Sequence, residues 1–241
     1  MKHFITYGNL KYSKSVERLK NQAKNLKFFD TVTGFNDTNI PDNIKKHLEI
    51  ILKCKKGGGF WIWKPIIMKL CIDAIKDDDI LIYTDAGCSI INNDKSLKRL
   101  NEYIKMVEDV NKPIIRFRLD DNCKEIYYTN SKILELFNID KNNDTILNTP
   151  QFVGGIIILR KCHITMKIIN KWLEIAINYP LLFTDYYNNY KKNQYFIENR
   201  HDQSIFSIIT KLYINNVWDI PDETYKYSDE FPINASRIKL Q

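Results

Sequence analysis

One carboxylate in this 241-residue sequence stands where ligands commonly bind in α/β proteins. Asp85 directly follows Ile80–Thr84, an apolar run of the kind found in central strands of parallel sheets. The small residues Ala86 and Gly87 come next. Because ligands in open α/β sheets lie beyond the carboxyl ends of the strands, Asp85 could hold a divalent cation that bridges two phosphates. The alternative is an ordinary turn that Asp85 opens, with Gly87 at positive φ.

The segment GGGFWIWKP, residues 57–65, combines residue types that are costly to order with residue types that bind ligands. Three successive glycines lose much backbone freedom on folding, and Trp61, Trp63 and Lys64 follow at once. An extended segment would place both tryptophans on one side. Lys64 could meet a phosphate at the start of a helix, where the dipole favours anions. The alternative is a flexible loop anchored by core tryptophans, and the segment does not match a P-loop.

Two further segments could contribute to a ligand site. Gly154 and Gly155 interrupt a strand pattern, where glycine weakens a sheet. Either a ligand lies against this backbone or the strand bulges there. His201 and Asp202 stand where a helix begins. Asp202 could be a general base or bind sugar hydroxyls, or it could cap the helix; His201 could be a metal ligand or a structural residue.

The C-terminal tail, FPINASRIKLQ, carries Arg237 and Lys239. These two cations could close over a diphosphate. Composition alone favours the other interpretation, an irregular and solvated terminus.

The elements that must position these residues alternate between strands and helices. The opening strand–helix–strand–helix order predicts a parallel sheet with crossover helices. Neither an internal repeat nor a Pro/Gly/Ser-rich linker is found, so we predict one α/β domain. Strands are predicted over 3–8, 30–35, 80–84, 114–119, 149–161 and 215–221, and helices over 13–29, 41–54, 64–76, 95–110, 131–137, 163–178 and 201–213.

Composition narrows the class of protein further. A hydrophobic content of 44% favours a globular chain. The formal net charge of +7 permits acidic partners, but the lysines are dispersed, so we expect no nucleic-acid partner. Five cysteines, with no C-x-x-C pair, argue against a disulfide framework or a zinc site. The N-terminus does not fit a signal peptide and no run reaches membrane length, so we expect a cytoplasmic protein without a transmembrane segment.

Together these segments resemble GT-A-type glycosyltransferases, in particular small ones found in bacteria and large DNA viruses. The resemblance covers nearly the whole chain, and its most specific parts are GxGFWIWKP, DAGC and HDQS. It implies a single Rossmann-like α/β domain over 1–241, with a mostly parallel central sheet flanked by helices. The nucleotide-sugar half would span 1–120, and the acceptor half with the tail would span 121–241. It also implies transfer of a sugar from a nucleotide-sugar donor, such as a UDP-sugar, to a hydroxyl of a glycan or polysaccharide.

The resemblance implies a metal ion, Mn²⁺ or Mg²⁺, held by a D-x-D-like element. Here that element is Asp85-Ala86-Gly87, in which glycine replaces the second carboxylate. Metal binding would rest on Asp85 together with ligands from elsewhere, for which His201 and the tail are candidates. The metal would stabilise the negative charge of the departing diphosphate.

The resemblance also implies which residues bind the donor and which one acts in catalysis. Asp202 would be the catalytic carboxylate, and it would take a proton from the attacking hydroxyl if the reaction inverts the anomeric carbon. The ends of the first strand would lie near the base and ribose, and the paired glycines would line the sugar and acceptor side. The implied donor-binding residues are Thr6, Tyr7, Trp63, Lys64, Asp85, Ala86, Gly87, Gly154, Gly155, His201 and Arg237.

Two rival functions fit the sequence less well. A haloacid-dehalogenase-type phosphatase also uses an aspartate after an apolar strand, but it needs a second aspartate where this chain has Gly87. A non-enzymatic nucleic-acid-binding protein would gather its basic residues on one face. It would also leave the clustered tryptophans, glycines and Asp85 unexplained.

Overall fold

The computed structural model describes residues 1–190, 193–225 and 228–240. The strands are β1 (Lys2–Tyr7), β2 (Thr31–Phe35), β3 (Ile80–Thr84), β4 (Ser89–Ile90), β5 (Ile114–Arg118), β6 (Ile156–Arg160), β7 (Trp218–Pro221) and β8 (Ile233–Asn234). The helices are α1 (Ser13–Asn25), α2 (Asp42–His47), α3 (Glu49–Leu52), α4 (Gly57–Phe60), α5 (Trp63–Ala74), α6 (Asp94–Glu108), α7 (Glu125–Tyr128), α8 (Ser131–Leu136), α9 (Asp144–Leu147), α10 (His163–Asn178) and α11 (Asp202–Tyr213). Short 3-10 turns span Leu10–Tyr12, Asp37–Asn39, Asp121–Cys123 and Pro180–Phe183.

The main sheet, as far as the structure describes the chain, has six strands in the order β2-β1-β3-β6-β5-β7. β1 pairs in parallel with β2 and β3, and β5 pairs in parallel with β7. β6 runs antiparallel to both of its neighbours, β3 and β5. The predicted α/β fold with a mostly parallel sheet is confirmed. Because β6 comes from the second half of the chain and lies between two strands of the first half, both halves share one sheet.

The central strand β3 is buried along its whole length because helices cover both faces of the sheet. Ile80 and Ile82 pack on one face, in a core that includes side chains of α1 and α6. Leu81 and Tyr83 pack on the other face, against side chains of α5, α10 and α11. Burial on both faces explains why the sequence of this strand shows no polar alternation. Each fully buried large apolar side chain stabilises the fold by about 1.5–3 kcal/mol.

Two predicted elements differ markedly from the observed ones. The helix predicted over 41–54 is two short helices, α2 and α3, that meet at Leu48. The long strand predicted over 149–161 is the shorter strand β6, and the paired glycines precede it. The reason is that the backbone at Gly154 packs against Gln203 of α11 instead of continuing the ladder.

As far as Leu240, the C-terminal tail is attached to the rest of the chain, although residues 235–240 have no regular secondary structure, as the irregular interpretation predicted. β8 pairs in antiparallel fashion with β4. Further along, the amide of Ile238 donates to the carbonyl of Gly87 at 2.9 Å. The amide of Leu240 donates to Ser15 Oγ at 2.7 Å. These bonds attach the tail to the turn that follows the central strand.

Among the described residues, no helix is both long and apolar enough to cross a membrane.

Candidate active site

A cavity of about 1150 Å³ lies beyond the carboxyl ends of β1 and β3. This is the edge of the sheet at which the sequence predicted a ligand. Both halves of the chain line it, since its walls include the ends of two strands, the start of α11 and the tail. The predicted site residues in its wall are Tyr7, Trp63, Lys64, Asp85, Ala86, Gly87, Gly154, Gly155, His201, Asp202 and Arg237.

The centre of the site is a buried lysine between two aspartates. The Nζ atom of Lys64 lies 2.5 Å from Asp202 Oδ2 and 3.3 Å from Asp85 Oδ1. It also donates to the carbonyl of Gly154 at 2.9 Å. These three acceptors match the three hydrogens of an ammonium group. Asp85 exposes 35% of its side chain and Asp202 only 6%, so Asp85 presents the larger surface to the cavity.

The charges of this cluster shift its proton affinities. Burial alone would lower the pKa of Lys64, but the attraction of Asp202 and then Asp85 outweighs it, and the pKa is raised. Burial, together with repulsion from Asp85, raises the pKa of Asp202 to about 6 against the opposing pull of Lys64. Lys64 therefore stays charged at neutral pH. Asp202 is a carboxylate at neutral pH that binds a proton more readily than an exposed aspartate.

The glycine segment, which includes the short element α4, has left-handed and not right-handed helical geometry, so it is a left-handed turn and neither the predicted flexible loop nor the extended segment. Residues 57–61 all have positive φ, between 54° and 99°. A left-handed turn costs about 1–2 kcal/mol for each residue with a Cβ atom, which explains why three of these five residues are glycine. The turn lets Trp63 Nε1 donate to the carbonyl of Gly57 at 3.0 Å. The ring of Trp63 then stacks on Tyr7 with 3.8 Å between centroids.

His201 lies in the cavity wall but is turned away from Asp85. Its Nδ1 atom is 2.8 Å from the carbonyl oxygen of Phe183, and its Nε2 atom is 3.7 Å from Asp185. The ring also stacks on Trp61. Burial lowers the pKa of His201, so the ring is neutral at physiological pH. These contacts favour the structural interpretation of this histidine over the metal-ligand one.

The paired glycines are required because other side chains approach their backbone. A Cβ atom at Gly155 would lie 2.8 Å from Asp85 Oδ2, and one at Gly154 would lie 2.9 Å from the Cβ of Gln203. The amide of Gly154 also donates to Gln203 Oε1 at 3.1 Å. The glycines therefore allow the two sides of the site to meet, which supports the close-approach interpretation over a simple bulge.

Thr6 is the predicted site residue that the structure does not bring to the cavity. It is fully buried in β1, and strand alternation turns it to the face opposite Tyr7. The hydroxyl of Tyr7 donates to Asp37 beside the cavity.

Sequence reasoning assigned no role to two residues of the site, Gln203 and Tyr83. Gln203 lines the cavity and connects Gly154 to Gln151, to which its Nε2 atom donates at 2.9 Å. The hydroxyl of Tyr83 donates to Asp85 Oδ1. A phenol in an otherwise apolar strand, two residues before the aspartate, is a signal that could have indicated this contact.

A comparison with one solved structure supports the fold. No family model and no curated protein matches the sequence. A solved glycosyltransferase involved in the glycosylation of the major capsid of PBCV-1 aligns over 96% of this chain and 92% of its own, with a TM-score of 0.51 and 7% identity. Mouse xyloside xylosyltransferase 1 aligns over 92% of this chain and 85% of its own, with a TM-score of 0.47 and 13% identity. The chain has the fold of a GT-A-type glycosyltransferase, as the sequence predicted.

Proposed function

We propose that this protein is an enzyme that transfers a sugar from a nucleoside-diphosphate sugar to a hydroxyl group of a glycan. The observation that carries the proposal is the pairing of Lys64 with Asp85 and Asp202 in the wall of the large cavity. Such a cluster of buried charges, in a cleft at the carboxyl edge of the sheet, is typical of an active site. In a GT-A fold this edge is where a nucleotide sugar is expected.

The residues of the cluster suit the two charge changes of sugar transfer. Cleavage of the sugar–phosphate bond builds negative charge on the departing diphosphate, and the cations that line the cavity, Arg237 among them, would stabilise it. Asp202 would accept the proton of the attacking hydroxyl. The stacked rings of Tyr7 and Trp63 would form the wall beside the nucleoside. Within the resemblance, the donor half spans 1–120 and the acceptor half 121–241.

A resident divalent metal ion, which the resemblance implies at Asp85, does not fit the residues at that position. Asp85 Oδ1 already accepts from Tyr83 and faces Lys64. Within the described residues, no group of three or more histidine, cysteine, aspartate or glutamate side chains could hold a metal ion. No step of the proposed reaction is therefore assigned to a metal.

A thermal-shift screen of nucleotide sugars, run with and without Mn²⁺, tests the proposed function. A ligand that binds only the folded state at 100 times its Kd stabilises the protein by about 2.7 kcal/mol. We expect at least one nucleotide sugar to raise the Tm and to release its nucleoside diphosphate on incubation, measured by chromatography. Free nucleosides serve as controls for binding through the base alone. If no nucleotide sugar changes the Tm and none is cleaved, the proposal is wrong.

Replacing Gly155 with alanine should lower turnover of the nucleotide sugar that the screen identifies by about 10²-fold. The new Cβ would displace the carboxylate of Asp85, and a misplacement of about 1 Å costs roughly that factor. The fold should persist because φ of Gly155 lies outside the left-handed region. Steady-state kinetics measure the loss, and an unchanged Tm is the control. Normal turnover in a folded variant would show that the position of Asp85 is not critical.

A further inference from the structure

We propose that the donor diphosphate is bound without a metal ion, by the guanidinium of Arg237, at a turn that carries its own fixed cations. The turn comprises residues 85–88, and we call it the diphosphate turn. This inference rests on the proposed function and adds the means by which the site meets the charge of the diphosphate. It departs from the metal-bridged diphosphate that the D-x-D resemblance implies.

The oxygen atoms of the diphosphate turn are already engaged by the protein. Arg18 Nη2 donates to the carbonyls of Ala86 and Cys88 at 2.8 and 2.7 Å. The carbonyl of Gly87 accepts from Ile238, and the carbonyl of Asp85 accepts from Cys88. A hard cation such as Mg²⁺ or Mn²⁺ needs several oxygen ligands. The turn offers it a single carboxylate, which is itself paired with Lys64.

The tail lies where a second carboxylate of a D-x-D element would project. A Cβ atom at Gly87 would lie 3.4 Å from the Cα of Arg237, and the amide of Ile238 holds this contact. Arg237 adopts a φ of 54°, an uncommon conformation for a residue with a side chain. The tail hydrogen bonds therefore hold Arg237 at this point in a strained backbone conformation, a feature that is often found at functional sites.

The local charge favours an anion over a second cation. Several cations lie near the diphosphate turn: Lys64 is paired with the carboxylates, Arg18 is bound to the carbonyls, and Arg237 and Lys239 of the tail are exposed in the cavity wall. The donors of Lys64 and Arg18 are directed at the protein, whereas the guanidinium of Arg237 lies at the cavity surface beside the ring of Tyr225, 5.6 Å from its centroid. Of the two tail cations, Arg237 is the one whose backbone contacts the diphosphate turn, at Gly87. A guanidinium presents paired donors that match phosphate oxygens. Arg237 is therefore placed to take the role that a bridging metal has elsewhere.

Calorimetric titration of the full chain with inorganic pyrophosphate and with UDP tests this inference. Each titration is run in EDTA and again in excess Mn²⁺. We expect binding in EDTA and no gain in affinity with Mn²⁺, because the metal would occupy the phosphate oxygens that Arg237 binds. Arg237→Gln should weaken binding of both probes by about ten- to a hundredfold, the usual effect of losing a charge-assisted hydrogen bond. Lys98→Gln is the matched control, because it removes one positive charge from an exposed position on α6 outside the cavity. An unchanged Tm verifies that both variants fold.

The outcomes separate this inference from the proposed function. Affinity that appears only with Mn²⁺, or that rises at least tenfold with it, overturns metal-free binding. Wild-type affinity in Arg237→Gln overturns the role of Arg237. If neither probe binds in either buffer, the inference is also wrong. In all three cases a nucleotide sugar that raises the Tm and is cleaved would leave the proposed function standing.

Discussion

Replacing Lys64 with methionine should destabilise the protein by about 3–5 kcal/mol, the cost of leaving one partner of a buried ion pair without the other. Methionine keeps the length and the apolar stem of lysine, so it fills most of the same volume. What is lost is the ammonium between Asp202 and Asp85, 2.5 and 3.3 Å from the two carboxylates. The carboxylate of Asp202, almost fully buried, is then left without its cation. Turnover of the donor should be lost together with the ammonium group.

A second variant separates the effect on stability from the effect on catalysis. Lys64→Met combined with Asp202→Asn removes the buried carboxylate as well, so it should recover much of the lost unfolding free energy. It should remain inactive, because the proposed general base, Asp202, is gone. Urea unfolding measures the free energies, and chromatography of the released nucleoside diphosphate measures turnover. If Lys64→Met alone has wild-type stability, Lys64 does not neutralise the buried aspartate.

The central strand and its carboxylate could be predicted from sequence because their signals are local. An apolar run without alternation indicates a strand buried on both faces, and this is what β3 is. The C-terminal end of this strand must then lie at the ligand-binding edge of the sheet, and Asp85, the next residue, must lie there too. The same local logic identified most of the other helices and strands, since each carries its own hydrophobic period.

The charge cluster could not be predicted in the same way because its partners are distant in sequence. Lys64 and Asp202 are 138 residues apart in the sequence, and no local pattern predicts that they form a hydrogen-bonded ion pair. The order of strands in the sheet brings them together, since it inserts β6 between β3 and β5 and places Gly154 beside Lys64. The sequence suggested a phosphate as the partner of Lys64. The structure instead shows it as a buried cation with three protein acceptors.

The handedness of the glycine turn and the course of the tail were also beyond sequence reasoning. Three glycines permit positive φ, but they equally permit a mobile loop. The choice is made by long-range contacts, such as the stacking of Trp61 on His201. The sequence of the tail predicts an irregular segment, and the course of that segment depends on hydrogen bonds to Gly87 and Ser15. Such features require the tertiary structure, because the local sequence allows either state.

Asp202→Asn should lower kcat by about 10²–10⁴-fold, the usual contribution of a general base. Asparagine has the same shape and still accepts a hydrogen bond from Lys64, so donor affinity should change far less than turnover. Calorimetry with the donor and steady-state kinetics give the two numbers. A collapse of donor affinity with little further loss of kcat would make Asp202 a donor ligand and not a base.

The pH dependence of kcat/KM provides an independent check on Asp202. Its pKa is raised to about 6, chiefly by burial and then by Asp85. The base is active in its ionised form, so activity should be constant above that pH. It should fall about tenfold for each unit of pH below it, as the carboxylate takes up a proton. The residual activity of Asp202→Asn should lack this acidic limb, since the amide does not titrate. If the limb persists in the variant, another group carries the proton and Asp202 only positions Lys64.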